Sequence, residues 1–324
     1  MTTAIRPNAT LRWTDAQIAK TDSQMCWTCN MCATECPVNI ATNRLAPIKL
    51  VRMATFGLLD EMVRLPEIWY CLTCRRCCDV CPMSVQPFVL IQYLRNEAIR
   101  RGIATTAMAA QQQAIVKRLQ RARWFVARDQ MTGGNPTISA GEHWRRCSEK
   151  AIEEDNRPIR LSRPAQRFWE SSEKKPNISA CLTCGECCSV CPAFFEGEVF
   201  SPMKILRMTV LGLIDSLLSS PSIWLCLGCQ RCAEVCSQNL SIFQVIQRLQ
   251  LMAVEKSVVQ PFFKVHFQEK SKSLLQHFIT EVDAIFQNPI SDATALRAIA
   301  RGQDAGCQSK SVPATAKELH DLVA

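Results

Sequence analysis

Four cysteine runs of one form constrain this chain more than any other feature. They are Cys26-x2-Cys29-x2-Cys32-x3-Cys36-Pro37, Cys71-x2-Cys74-x2-Cys77-x3-Cys81-Pro82, Cys181-x2-Cys184-x2-Cys187-x3-Cys191-Pro192 and Cys226-x2-Cys229-x2-Cys232-x3-Cys236, the last followed by Ser237. In this spacing one tight loop offers three thiolates to a single [4Fe–4S] cube, and the fourth cysteine reaches the cube of a partner run. Sixteen of the 20 cysteines fall in these runs, so four cubes are expected. The ligands are assigned crosswise. Cys26, Cys29 and Cys32 go with Cys81, and Cys71, Cys74 and Cys77 with Cys36. Cys181, Cys184 and Cys187 go with Cys236, and Cys226, Cys229 and Cys232 with Cys191. Proline after the fourth cysteine turns the chain away and removes a competing donor.

Zinc also uses Cys-x2-Cys, but it does not call for a third cysteine at the same interval. A three-iron cube or a lost cluster would require a missing ligand, and none is missing. Of the remaining cysteines, Cys78 and Cys188 each follow a third ligand and read as small buried thiols. An alternate ligand or a redox thiol is the sharper reading of both. Cys147 and Cys307 stand alone in polar segments. His143, His266, His277 and His320 lie outside every run, which leaves Rieske ligation and Cys/His catalysis without support. The chain has no Gly-x-Gly-x-x-Gly turn and no Walker loop. No catalytic site of its own is expected, and single-electron exchange with protein partners is.

The two halves repeat at an offset of 155 residues without a gap. Pro47-Ile48-Lys49-Leu50-Val51-Arg52-Met53 aligns with Pro202-Met203-Lys204-Ile205-Leu206-Arg207-Met208, and Ile68-Trp69-x-Cys71 with Ile223-Trp224-x-Cys226. Self-similarity of this kind marks a duplicated structural unit. The spacer reads as a helix: Pro47 suits a first turn, Leu50, Ala54 and Leu58 share a face, and Gly57 and Gly212 suit a helix end. Further helices are expected over roughly Phe88–Arg101, Ala104–Val126 and Ile242–Lys256, and in the tail beyond Pro261. Thr132–Pro136 reads as a turn, and Arg157–Pro176 as an extended linker. The expected fold is mainly α. Two tandem α-helical ferredoxin-like domains (1–102 and 178–260), each around two [4Fe–4S] clusters, are joined by a helical and extended basic connector (103–177) and followed by a helical tail (261–324). Trp69 and Trp224, two residues before a ligand, read as covers over a cube rather than as electron relays.

The formal net charge is +9. Each oxidised cube with four thiolates carries about −2, so four of them bring the loaded protein to about +1. The basic excess sits between Arg95 and Lys175, with 17 Lys and Arg against 9 Asp and Glu. These charges are interspersed with acids and apolar residues, which suits a solvated connector or docking face better than a nucleic-acid surface. No apolar stretch approaches the ~20 residues of a membrane span, and Met1–Trp13 has no apolar signal core. A reducing cytoplasm is expected.

Each unit resembles the C subunit of heterodisulfide reductase, an α-helical ferredoxin-like iron–sulfur protein. The resemblance rests on the paired runs, the Pro-x-Lys-x-x-Arg-Met…Gly-Leu spacer, Ile-Trp-x-Cys, and Leu94-Arg95-Asn96-Glu97-Ala98. It implies an electron-transfer protein of a hetero-oligomeric complex in sulfur metabolism. Single electrons would pass between a flavoprotein like the family's A subunit and a Cys-Cys-Gly-motif catalytic partner like its B subunit. The chain departs from the family in being doubled, in having Asn30 where glycine is usual, and in Ser237. It lacks the Cys-Cys-Gly motif itself: Asp79 follows Cys77-Cys78 and Ser189 follows Cys187-Cys188. Two other readings stand beside this one: an iron–sulfur subunit of a succinate, fumarate or glycolate type dehydrogenase, and a redox-sensing regulatory or scaffold protein.

Overall fold

A computed structural model describes residues 20–133, 138–149, 177–194 and 199–287, together with Pro7, Asn8, Thr10, Asp15, Ile18 and Ile152. The expected linker at Arg157–Pro176, the part of the expected helical tail beyond Gln287, Cys307 and His320 lie outside the described residues. Within them the chain is helical, and no sheet forms.

The first repeat runs through α1 (Met31–Thr34), α2 (Pro37–Thr42), α3 (Pro47–Thr55), α4 (Leu59–Met62), α5 (Arg76–Asp79) and α6 (Pro87–Arg100). A connecting segment then folds as α7 (Thr106–Met131) and α8 (Ala140–Glu149). The second repeat gives α9 (Glu186–Ser189), α10 (Pro202–Val210), α11 (Ile214–Leu218), α12 (Arg231–Glu234) and α13 (Ile242–Glu255), and the tail gives α14 (Phe263–Gln287).

The spacer helices show how closely the repeat holds. Pro47 and Pro202 open α3 and α10, where a missing N–H costs nothing. Leu50, Val51 and Ala54 of α3 and Ile205, Leu206 and Thr209 of α10 turn to the core. Both helices stop on a glycine with positive φ, Gly57 at 68° and Gly212 at 76°. The residue after each glycine closes a six-residue turn: Leu58 N–H donates to Met53 O at 3.0 Å and Leu213 N–H to Met208 O at 2.9 Å. A side chain at the glycine would be strained in this left-handed cap.

The connector departs from expectation. Its charges suit a solvated face, yet Leu119 to Ala127 of α7 is buried without a break. α7, of 26 residues, packs along α14, of 25, with α8 against both. At 1.5 Å per residue each long helix spans roughly 38 Å, enough to brace both repeats. α14 packs on α2 and on the Pro66–Tyr70 turn of the first repeat, and α7 packs on the Pro221–Trp224 turn of the second. Buried polar groups of α7 are satisfied by backbone carbonyls: Gln112 Nε2 donates to Trp69 O at 3.1 Å, and Arg121 Nε to Cys147 O at 3.1 Å.

Candidate iron–sulfur centres

All four cysteine loops adopt one conformation. The residue two after the first cysteine turns its N–H back to that sulfur: Thr28 to Cys26 Sγ, Thr73 to Cys71 Sγ, Thr183 to Cys181 Sγ and Gly228 to Cys226 Sγ, each at 3.4 Å. The chain enters the left-handed region at that residue and again two residues later, at Asn30 (68°), Arg75 (64°), Gly185 (84°) and Gln230 (58°). The usual glycine is therefore a conformational requirement, and Asn30 meets it because asparagine visits this region readily. Arg75 and Gln230 hold it at a cost of about 1–2 kcal/mol each. After the second left-handed residue comes a one-turn helix, α1, α5, α9 or α12, which carries the third cysteine and leads to the fourth.

The loops meet across each repeat. Cys26, Cys29, Cys32 and Cys81 line one small cavity. Cys191, Cys226, Cys229 and Cys232 line another. Burial pushes the Cys32 thiol up to about 11, and neighbouring Cys26, Cys81 and Cys29 add to the rise. Burial likewise lifts Cys36 to about 11, with Cys71 adding, and lifts Cys74 to about 12, with Cys71 and Cys36 adding. Cys36 thus stands with the Cys71 loop, and Cys81 with the Cys26 loop. In the last set Cys187 is lifted to about 12 by burial, Cys188, Cys232 and Cys181. Cys236 follows α12, which packs on α9, as Cys81 follows α5, which packs on α1.

Four such thiolates, crowded and partly desolvated, repel one another, so they need a cationic metal core to stay ionised. A tetrahedral zinc would draw its four sulfurs to about 3.8 Å of each other. Among the described residues no three Cys, His, Asp or Glu side chains come close enough to share one ion. Four cysteines facing one cavity are the donor set that a [4Fe–4S] cube requires.

The two repeats join at their inner loops. Cys229 is near enough to add to the rise of Cys74. Around them Arg231 Nη1 donates to Thr73 O at 3.0 Å, its guanidinium lies over the Phe88 ring at 5.5 Å, and Arg75 pairs with Glu234 at 3.4 Å. The outer loops face solvent: Cys29 and Cys184 are exposed, whereas Cys36, Cys71, Cys74 and Cys77 are each 8% exposed. Trp69 and Trp224 are buried and capped by the tail helix, with ring centroids 5.8 Å from Phe286 and 4.5 Å from Phe263. Their burial fits the reading as covers.

Cys78 and Cys188 are buried beside their neighbouring ligands, and Cys188 Sγ lies 3.4 Å from Ser201 Oγ. Cys147 is also buried, with its thiol donating to Trp144 O at 2.9 Å, so it belongs to the α7–α8 packing. Sequence reasoning missed Arg95 and Arg123. Arg95 donates to Ile68 O and to Cys71 O, both at 2.8 Å, and Arg123 donates to Leu225 O at 2.9 Å. Both read as ordinary helix-surface cations, and only the packing brings them behind a cysteine loop.

Comparison with known proteins agrees with this geometry. Two family models described as 4Fe-4S dicluster domain match residues 25–86 and 177–240. A protein of Archaeoglobus profundus, described as similar to the C subunit of heterodisulfide reductase, is 34% identical over 111 residues, covering 31% of this chain and 59% of that protein. A probable membrane-anchored ferredoxin of Chromohalobacter salexigens is 32% identical over 76 residues, covering 23% of this chain and 11% of that protein. The matches therefore span less than two thirds of either relative. No solved structure matches. Among the described residues no helix is long and apolar enough to cross a membrane. The chain is a mainly helical iron–sulfur protein, similar to the C subunit of heterodisulfide reductase, with two dicluster ferredoxin modules in tandem and hence four [4Fe–4S] clusters.

Proposed function

We propose that this protein is the electron-transfer component of a heterodisulfide-reductase-like complex. In this reading single electrons pass between a flavoprotein and a catalytic partner that works on disulfide or sulfur compounds. When bound, each cube takes up and returns one electron. The chain's residues supply the rest. Cys26, Cys29, Cys32 and Cys81 hold the first outer cube, and Cys36, Cys71, Cys74 and Cys77 the first inner one. Cys191, Cys226, Cys229 and Cys232 hold the second inner cube, and Cys181, Cys184, Cys187 and Cys236 the second outer one.

One observation carries the proposal: the inner loops meet across the repeat interface, where Arg231 Nη1 donates to Thr73 O at 3.0 Å and Arg75 pairs with Glu234 at 3.4 Å. The four loops then fall in the order outer, inner, inner, outer, with the exposed Cys29 and Cys184 at the two ends. Trp69 and Trp224 stand buried in the middle of that series, and α7 and α14 fix its spacing. Residues 1–102 and 178–260 are taken as the two modules, and a reducing cytoplasm as their setting.

Anaerobic purification from the native cell, with iron and sulfide analysis, tests this. About sixteen Fe per chain with a co-purifying flavoprotein and a Cys-Cys-Gly protein is the expected result. About eight Fe, or stoichiometric zinc, would overturn the cluster assignment. Co-purification with a succinate-type dehydrogenase would overturn the choice of complex.

A further inference from the structure

Arg123 is 7% exposed, and among the described residues it meets no carboxylate. Its guanidinium donates to Gln120 Oε1 at 2.7 Å and to Leu225 O at 2.9 Å, one residue before Cys226, and lies over the Phe267 ring at 5.4 Å. Arg95 is the matching case in the first module. It is half-buried, stacks on Trp69 at 5.4 Å, and donates to the carbonyl of Cys71 itself. Again no carboxylate partner stands by among the described residues. A cation removed from water without a counter-charge is costly. The anionic groups near these two are the thiolate sets of Cys71 and Cys226.

The origins of the two arginines are exchanged between modules. Arg95 comes from the first module's own helix α6, and its counterpart at the offset of 155 is Gln250, whose Nε2 donates to Ile223 O at 2.8 Å. Arg123 comes from the connecting helix α7, which on the first module places Gln112 on Trp69 O instead. Each inner loop thus receives one arginine and one glutamine, supplied by opposite elements. No charged side chain lines the first outer cavity or the second inner one, so the two arginines act from behind the loops, through the carbonyls of Cys71 and Leu225.

Adding one electron takes a cube with its thiolates from about −2 to about −3. In a desolvated setting that extra charge is disfavoured, so burial by itself lowers the reduction potential. A nearby cation has the opposite effect. We propose that Arg95 and Arg123 are the counter-charges of the two inner cubes and raise their reduction potentials against the effect of burial. Arg76, Arg231 and Lys264 also stand near the inner loops, but Arg76 is paired with Glu35 at 2.6 Å, Arg231 is engaged at the module interface, and Lys264 is exposed to water, which screens it.

This inference rests on the ligand sets proposed above, and the test separates the two. Redox titration of the anaerobic holoprotein, followed by electron paramagnetic resonance, gives the four midpoints, and iron analysis reports the cubes independently. Arg95→Gln and Arg123→Gln should each lower one midpoint. The expected shift is at least a tenfold change in the reduced-to-oxidised ratio, about 59 mV for one electron. The other midpoints should hold. Arg95→Lys and Arg123→Lys should stay close to the parent protein. Adding Gln250→Arg to Arg123→Gln should restore the second inner cube, because it returns the cation from the position Arg95 uses. Should Arg123→Gln lose iron, the double variant carries the test. Full iron with unmoved midpoints, lysine variants that shift as far as glutamine ones, or failure of the double variant to restore would each overturn the proposal. A parent protein with fewer than about sixteen Fe would instead count against the ligand sets.

Discussion

The two modules share a backbone plan and differ in what covers it. In the first, the inner cysteines Cys36, Cys71, Cys74 and Cys77 are buried, whereas their counterparts Cys191, Cys226, Cys229 and Cys232 are half-buried. Helix α14 makes much of the difference. It lies on α2 and on the Pro66–Tyr70 turn, and Asp283 accepts hydrogen bonds there from Tyr70 and Arg44. The second module has Leu225 in place of Tyr70 and can make no such bond. The outer ends differ too. Met25, Trp27, Met31 and Phe56 are exposed on the first, with Trp27 at 70%, where the second has Ala180, Leu182, Glu186 and Leu211. Duplication therefore preserved the cluster loops while their surroundings diverged, which gives two otherwise similar pairs of cubes distinct environments.

The strongest way to break the comparison is to remove one crossing ligand from each module. Cys36→Ser and Cys191→Ser should each abolish one inner cube, so that iron analysis falls by about four Fe per chain. If the loops were not crosswise, Cys36→Ser would instead disturb the Cys26 set, and the loss would appear in the outer cube's signal. Exposure to air sharpens the contrast between ends and centre. The outer cubes should bleach first, because Cys29 and Cys184 are exposed, and the first module's inner cube should persist longest.

Next in size are the two tryptophan covers. Trp69→Ala and Trp224→Ala should each cost about 3–5 kcal/mol of stability, as deletion of a buried aromatic does, read as a fall in the anaerobic melting temperature. Equal losses would show that α14 grips both modules alike. The interface should respond less. Arg231→Ala removes the bond to Thr73 O and the contact with Phe88, an expected loss of about 1–3 kcal/mol, whereas Arg75→Ala, which breaks a partly exposed pair with Glu234, should cost under about 1 kcal/mol.

The smallest effect concerns Glu97, which the second module replaces with Met252. Hydrogen bonds from Arg100 and Arg101 hold its carboxyl at about 2, below the ordinary 4.5. A depressed carboxylate contributes stability in full above its unfolded value and loses it as the pH falls through the folded one. The end of α6 should therefore loosen between about pH 4.5 and 2, and Glu97→Gln should remove that step from the acid unfolding profile while leaving α13 unaffected.

Much of the fold was legible in the sequence for a physical reason: it is written in short-range constraints. Cysteine spacing defines a loop, proline opens a helix, and glycine closes one, so the spacer helices and their left-handed caps follow from a few residues each. The connector was not legible in the same way. Gln112, Gln120, Arg121 and Arg123 look like solvent-facing positions of a polar helix, yet all four are buried. Gln112, Arg121 and Arg123 donate to carbonyls of segments 26 to 102 residues away, and Gln120 accepts from Arg123. No periodicity encodes a partner that distant.

The chain's own letters settled the number of thiolate loops, their pairing in tandem and the helical framework between them, because each depends on neighbours within about fifty positions. Tertiary packing alone decided that the inner loops meet, that one tail helix caps both tryptophans, and that two arginines end up behind Cys71 and Cys226. Those outcomes depend on how long helices lie across one another, and desolvation of a charge is a property of everything that surrounds it.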